Sequence, residues 1–168
     1  DSLRERSVMS LKMDLGGRIG LFDDLVKPHQ FVALESPVLL DEEFRTIKEA
    51  PFFEDRIGTL DTTFEASAGP EGLKARLEGL RTEGRNRLKE SDTCILILSD
   101  RNLSAVRAGV PMLLAVGAVH SELVRLGKRI TCDIVCESGE VRDVHQTACV
   151  LGFGANAVYP YLALDIIR

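Results

Sequence analysis

No apolar run in this sequence approaches the ~20 residues that a bilayer span requires, and its opening stretch is polar rather than the apolar core of a secretory signal. The chain therefore reads as soluble and cytoplasmic, of a bacterial-like kind. It has no surplus of positive charge: 21 Lys and Arg stand against 26 Asp and Glu, a formal net charge of −5. A nucleic-acid or anionic-membrane surface would need a basic face, so neither partner is expected. The first residue is Asp1 rather than Met, as in an excised or processed chain.

A cysteine framework is missing too. Cys94 opens the apolar run Cys94-Ile95-Leu96-Ile97-Leu98, and Cys149 falls within an apolar helical stripe. Cys132 and Cys136 are four apart on an expected strand, which separates them by about 13 Å at ~3.3 Å per residue, too far to share one zinc. Buried, inert thiols in a reducing compartment are the expectation. No Ser, Cys or Lys is paired with a base at readable spacing, and no His/Asp/Glu cluster resembles a metal site. His29 lies in an expected loop. His120 and His145 each follow a valine by four, beside an apolar helical stripe, where packing is the default.

What is present is ordinary globular chemistry. Of 168 residues, 45% are hydrophobic and 28% charged, enough to bury roughly 70% of the unfolded surface in one compact unit. From residue 56 onward strands and helices alternate. Arg56–Asp61 reads as a short strand, and Pro70 suits the first turn of a helix carrying Leu73, Leu77, Leu80 and Leu88 on one face, with Gly84 as its weak point. Thr93–Ser99 is continuously apolar, as a strand covered on both faces must be. Pro111 begins a helix closed by Gly127. Ile130–Glu137 reads as a strand, Glu140–Leu151 as a helix, Ala157–Tyr159 as a strand and Tyr161–Ile167 as a helix. The fold class is α/β, with four βα units resembling half of a (β/α)8 barrel.

Residues 1–55 read as an N-terminal arm to the half-barrel of residues 56–168, the two together making one domain fragment. A helix through Leu3, Ser7, Ser10 and Leu11, ended by Gly16-Gly17, leads through Pro28 to an extended stretch, Phe31–Leu39. Pro37 gives that stretch an edge position. Asp41 looks like the N-cap of a short helix, Glu42–Glu49, stopped by Pro51.

Two glycine motifs carry less than their spacing promises. Gly152-Phe153-Gly154-Ala155-Asn156-Ala157 matches G-x-G-x-x-A, but it follows a helix and precedes a strand, the reverse of a dinucleotide fold. Gly69-Pro70-Glu71-Gly72 does precede a helix, yet it lacks the Lys and Ser/Thr of a phosphate loop, and Glu71 would repel an anion. The strand C-termini are more interesting, because that rim is where α/β folds build sites. Asp61, Asp100, Arg101 and Glu137 fall there, with Thr62, Ser99 and Ser138 beside them. They suit acid–base work, ion pairing or domain contacts.

Several longer stretches, in order, resemble the central domain of the glutamate synthase large subunit. They are Glu35-Ser36-Pro37-Val38-Leu39, Leu60-Asp61-Thr62-Thr63-Phe64, Ile95-Leu96-Ile97-Leu98-Ser99-Asp100-Arg101, Leu114-Ala115-Val116-Gly117-Ala118-Val119-His120, Glu137-Ser138-Gly139-Glu140-Val141-Arg142-Asp143-Val144-His145 and Leu151 through Ala163. The resemblance implies the carboxy-terminal portion of that domain, within an oxidoreductase that makes two glutamates from glutamine, 2-oxoglutarate and a reductant. It implies glutaminase and FMN domains as neighbours in the parent chain, an ammonia tunnel between them, and a reductase subunit or ferredoxin as a further partner.

The resemblance also places FMN and an iron–sulfur cluster in the parent enzyme, with none in this fragment. The amino-terminal cysteine nucleophile and the grouped cluster cysteines of that family have no counterpart here. Where the family often has a run of histidines this chain reads His120-Ser121-Glu122, and Gln146 replaces a second histidine. The expected role is non-catalytic, with Asp61, Asp100, Arg101 and Glu137 as inter-domain contacts. Two alternatives remain: a stand-alone α/β phosphate- or small-molecule-binding enzyme using the same rim, and a protein-interaction module.

Overall fold

The computed structural model describes residues 9–18, 31–90 and 92–167. Four short parallel strands form its centre: β3 (Ile57–Asp61), β5 (Ile95–Ser99), β7 (Asp133–Glu137) and β8 (Ala157–Tyr159), in the spatial order β3-β5-β7-β8. Ile57 is level with Ile95, Ile95 with Asp133, and Val135 with Ala157, so every strand enters at one end and leaves at the other. Sequential strands lie side by side, as in an arc of a βα barrel.

Alternation along the strands decides which helix goes where. Leu96 and Leu98 of β5, Ile134 and Cys136 of β7, and Val158 of β8 face one way. There they meet α2 (Gly69–Glu90), α3 (Met112–Arg125) and α4 (Val144–Gly152) through Leu80, Val116, Leu123 and Val150. The intervening residues Ile95, Ile97, Val135, Ala157 and Tyr159 face the other way. This second face is closed by the N-terminal residues: β1 (Met13–Leu15), β2 (Val32–Leu34) and α1 (Asp41–Glu49) supply Leu15, Leu34, Phe44 and Ile47 to its core. Period-two burial on both faces explains why all five residues of β5 are buried. Gly84, the weak point of α2, faces this core with Leu96, Leu60 and Val119 each within 4 Å of the place its Cβ would take.

The amino-terminal region departs from expectation. Leu3, Ser7, Pro28 and His29 lie outside the described residues. Ser10 and Leu11 are not helical, and Met13–Leu15 is a strand paired antiparallel with Val32–Leu34. Its pattern is period two, with Leu15 fully buried and Asp14 exposed, which a helix would not give. Pro37 does take an edge position. Val158 N–H donates to the Pro37 carbonyl and Leu39 N–H donates to Val158 O, so the missing amide of proline is never needed.

Asp41 is the first residue of α1 rather than its cap. Leu40 holds the cap position, its N–H bonded by the Glu43 carboxylate at 2.8 Å, while Asp41 accepts from the Tyr159 hydroxyl at 3.0 Å. α4 begins at Val144, not Glu140, because the Asp143 side chain caps it through Gln146 N at 2.7 Å. β7 begins at Asp133, since Lys128 and Thr131 form a turn before it.

A small ribbon, β4 (Thr63–Glu65) with β6 (Arg107–Gly109), had no signature in the sequence. It stands beyond the C-terminal ends of β3 and β5. The last helix, α5 (Tyr161–Ile167), leaves the same end after β8. No helix among the described residues is long and apolar enough to cross a membrane.

Candidate interaction site

The C-terminal ends of the four strands bring three of the four rim candidates together. Asp100, one residue beyond β5, is 3% exposed. It accepts hydrogen bonds from Ser138 Oγ at 3.1 Å and Gly139 N at 3.0 Å, at the end of β7, and from the Tyr161 hydroxyl. Arg101 turns outward instead. Its Nε donates to Glu137 Oε1 at 3.0 Å, its guanidinium lies 3.8 Å from the Tyr161 ring centroid, and Nη2 reaches the Tyr159 hydroxyl at 3.4 Å. Burial disfavours the charge on Arg101, but the bond and charge of Glu137 outweigh it, so the guanidinium is held more firmly protonated than usual.

Asp61 is set apart, at the ribbon. Its carboxylate accepts from Thr63 N and Oγ1, Asn102 Nδ2 and Arg107 Nη2. Burial alone would raise its pKa, yet the bonds from Asn102 and Thr63 and the Arg107 charge hold it below the ordinary carboxylate value. Arg107 then spans the ribbon to Thr63 and Glu65.

The tyrosines were missed in the sequence because they count as apolar core. Tyr159 stacks on Phe44 at 4.3 Å and 20° while its hydroxyl donates to Asp41. Burial, then Asp100, pushes the Tyr161 hydroxyl pKa up. The position of Tyr159-Pro160-Tyr161, directly after a strand, was the available signal. Between α1 and the rim lies an open groove of about 390 Å³ lined by Phe44, Arg45, Lys48, Arg101, Glu137 and Tyr159. The rim thus offers charged groups that are already paired, with Arg101 keeping 44% of its side chain exposed.

The opposite end of the sheet holds the glycine motif. Arg129 donates to Gly154 O at 2.7 Å, Asn156 Oδ1 at 2.8 Å, Cys132 O at 2.9 Å and His120 Nδ1 at 3.0 Å. The loop is a structural joint between α4 and β8: Gly154 has φ +119°, and its carbonyl is committed to Arg129. Gly69, at φ +55°, starts α2, and Gly72 packs under the Phe64 ring. His120 is therefore a partner of Arg129 rather than a packing residue, and His145 is exposed rather than core.

Cys94 lies in the core of one sheet face and Cys132 and Cys136 in that of the other, so these thiols do not fit an iron–sulfur cluster. Burial pushes the Cys132 thiol up to about 12, and Cys136 further, as inert core thiols require.

A family model of the glutamate synthase central domain matches residues 1–168. The chain belongs to that family. It is 37% identical over 99% of its length to the large chain of the NADPH glutamate synthase of Azospirillum brasilense, and 36% identical over its whole length to the ferredoxin-dependent glutamate synthase of Pyropia yezoensis. It is 35% identical over 99% of its length to the NADH glutamate synthase of Schizosaccharomyces pombe. The chain spans only 11%, 11% and 8% of those relatives' lengths.

Proposed function

We propose that these residues act as a non-catalytic part of a glutamate synthase, connecting its glutaminase and FMN domains and helping to shape the ammonia tunnel between them. The observation that carries this reading is the rim itself. Asp100, Arg101 and Glu137, the groups best placed for chemistry, bind Ser138, Gly139 and the two tyrosines, and so build a shaped polar surface. On this reading FMN and the iron–sulfur cluster are held by other parts of the parent, and a reductase subunit or ferredoxin is a further partner of that parent. Similar domains occur in relatives named for NADPH, NADH and ferredoxin, which supports a role independent of the reductant.

The test is optical and enzymatic. The purified 168-residue chain should be colourless, and inactive with glutamine, 2-oxoglutarate and NADPH. Flavin or iron–sulfur absorbance, or turnover, would place chemistry in this part of the molecule and overturn the proposal.

A further inference from the structure

The four-stranded sheet is closed on its β8 side, where Val158 N–H donates to Pro37 O and Leu39 N–H to Val158 O. Its β3 side is open. In a parallel pair the ladder uses every second residue of a strand. Ile95 N–H donates to Arg56 O at one end of β3, and Thr62 N–H donates to Ser99 O at the other. Residues 56, 58, 60 and 62 therefore serve β5, and Ile57, Thr59 and Asp61 turn their backbone groups outward. Arg76 Nε caps the Asp61 carbonyl at 2.8 Å, but no described residue bonds the outward groups of Ile57 or Thr59. We infer that this edge is completed by a parallel strand from a segment of the parent chain outside these 168 residues.

Burial points the same way. Ile57, Thr59 and Asp61 are level with Ile95, Ile97 and Ser99 on one face of the sheet. Ile95, Ile97 and Ser99 are buried, whereas Thr59 is exposed and Ile57 and Asp61 are half-buried. The cover of that face ends one strand short, although parallel strands are normally covered on both faces. Nor does β3 carry the devices that keep a natural edge unpaired: Ile57–Asp61 holds no proline or lysine, and its register with β5 is unbroken. A further strand supplies backbone partners to Ile57 and Thr59 and side chains to cover the exposed face. The parent has chain to provide it, since these residues span only 11% of the Azospirillum brasilense and Pyropia yezoensis relatives. A second copy meeting across a twofold axis would set β3 antiparallel to itself, whereas a parallel strand continues the order β3-β5-β7-β8. The inference rests on the reading of this chain as part of a longer enzyme, and not on what the rim does.

The experiment uses the full-length protein that carries these residues. Amide hydrogen exchange, resolved at Thr59 by fragmentation in the mass spectrometer, should be slowed at least about a hundredfold relative to an unstructured chain, because a paired strand amide exchanges only on opening. Exchange at the unstructured rate overturns the proposal, while leaving the colour and turnover of the 168-residue chain to decide its function separately. A benzophenone attached through Thr59→Cys then identifies the occupant. The expected cross-link joins position 59 to a segment of the same parent chain outside these residues. A cross-link to a second copy, or one confined to residues 1–168, overturns the proposal even where the amide is protected.

Discussion

The guanidinium of Arg101 lies 3.8 Å from the centroid of the Tyr161 ring. That contact joins the end of β5 to the start of α5, and it leaves no room for a side chain at Gly139. A Cβ there would stand 2.8 Å from the Tyr161 hydroxyl and 3.1 Å from its Cζ. With Asp100 and Arg101 holding the ring from two sides, Tyr161 cannot yield cheaply. Gly139→Ala should cost about 1–3 kcal/mol in chemical denaturation. Tyr161→Ala in the same chain should remove most of that increment, leaving a coupling of roughly 0.5–3 kcal/mol. Strict additivity of the two changes would show that the rim is looser than described.

Arg129 serves four acceptors with one planar fork, and half of it faces the loop Gly154–Asn156. Arg129→Ala strips those acceptors at a half-buried joint, and should cost about 1–3 kcal/mol. Arg129→Lys keeps the charge but has one nitrogen to offer, so it should recover less than half of the loss. Full recovery by lysine, measured by thermal or urea unfolding, would mean that charge alone matters here.

His120 makes the acid limb of stability testable. Burial, and then the Arg129 charge, hold its pKa below the ordinary 6.5, and Nδ1 is the acceptor of the Arg129 bond. Below pH 6.5 the unfolded chain takes up a proton that the folded chain refuses. Stability should therefore fall as pH drops from 6.5 through the lower folded value, by at most ~1.4 kcal/mol per pH unit from this group. His120→Gln should flatten that part of the profile. A slope unchanged by the substitution would assign it to other groups.

A second acid window belongs to carboxylates. The Arg125 hydrogen bond holds Glu122 below its ordinary 4.5, and the bonds from Asn102 and Thr63 overcome burial to hold Asp61 below its ordinary 3.8. Stabilisation from both is fully present above those values and is lost as pH falls through the folded ones. Glu122→Gln should reduce stability at pH 7 but have less effect at pH 3, read from urea midpoints. An equal loss at both pH values would remove charge from the explanation.

How much of this was legible depends on the length over which a residue pattern runs. β5 could be read because Ile95–Leu98 is apolar on both faces, and α2 because Pro70 and four leucines fix its start and stripe. The ribbon of Thr63–Glu65 and Arg107–Gly109 could not, since each strand has only three residues and its partner is 42 to 46 positions away. Asp41 looked like a cap because capping and a distant hydroxyl use the same carboxylate. The rim was located through Asp100, Arg101 and Glu137, which end strands. Its tyrosines were not, because an aromatic ring that stacks on an arginine reads in sequence like one buried in a core.

The most direct test of the central claim is Arg101→Ala in the full-length parent enzyme, with Arg101→Lys beside it to separate folding from function. Three rates should be compared: glutamine hydrolysis, glutamate synthesis from free ammonia, and glutamine-dependent glutamate synthesis. If the rim connects domains, the third should fall by about tenfold, ~1.4 kcal/mol of coupling, while the first two stay near their starting values. Equal loss in all three, in a folded enzyme, would contradict the architectural account.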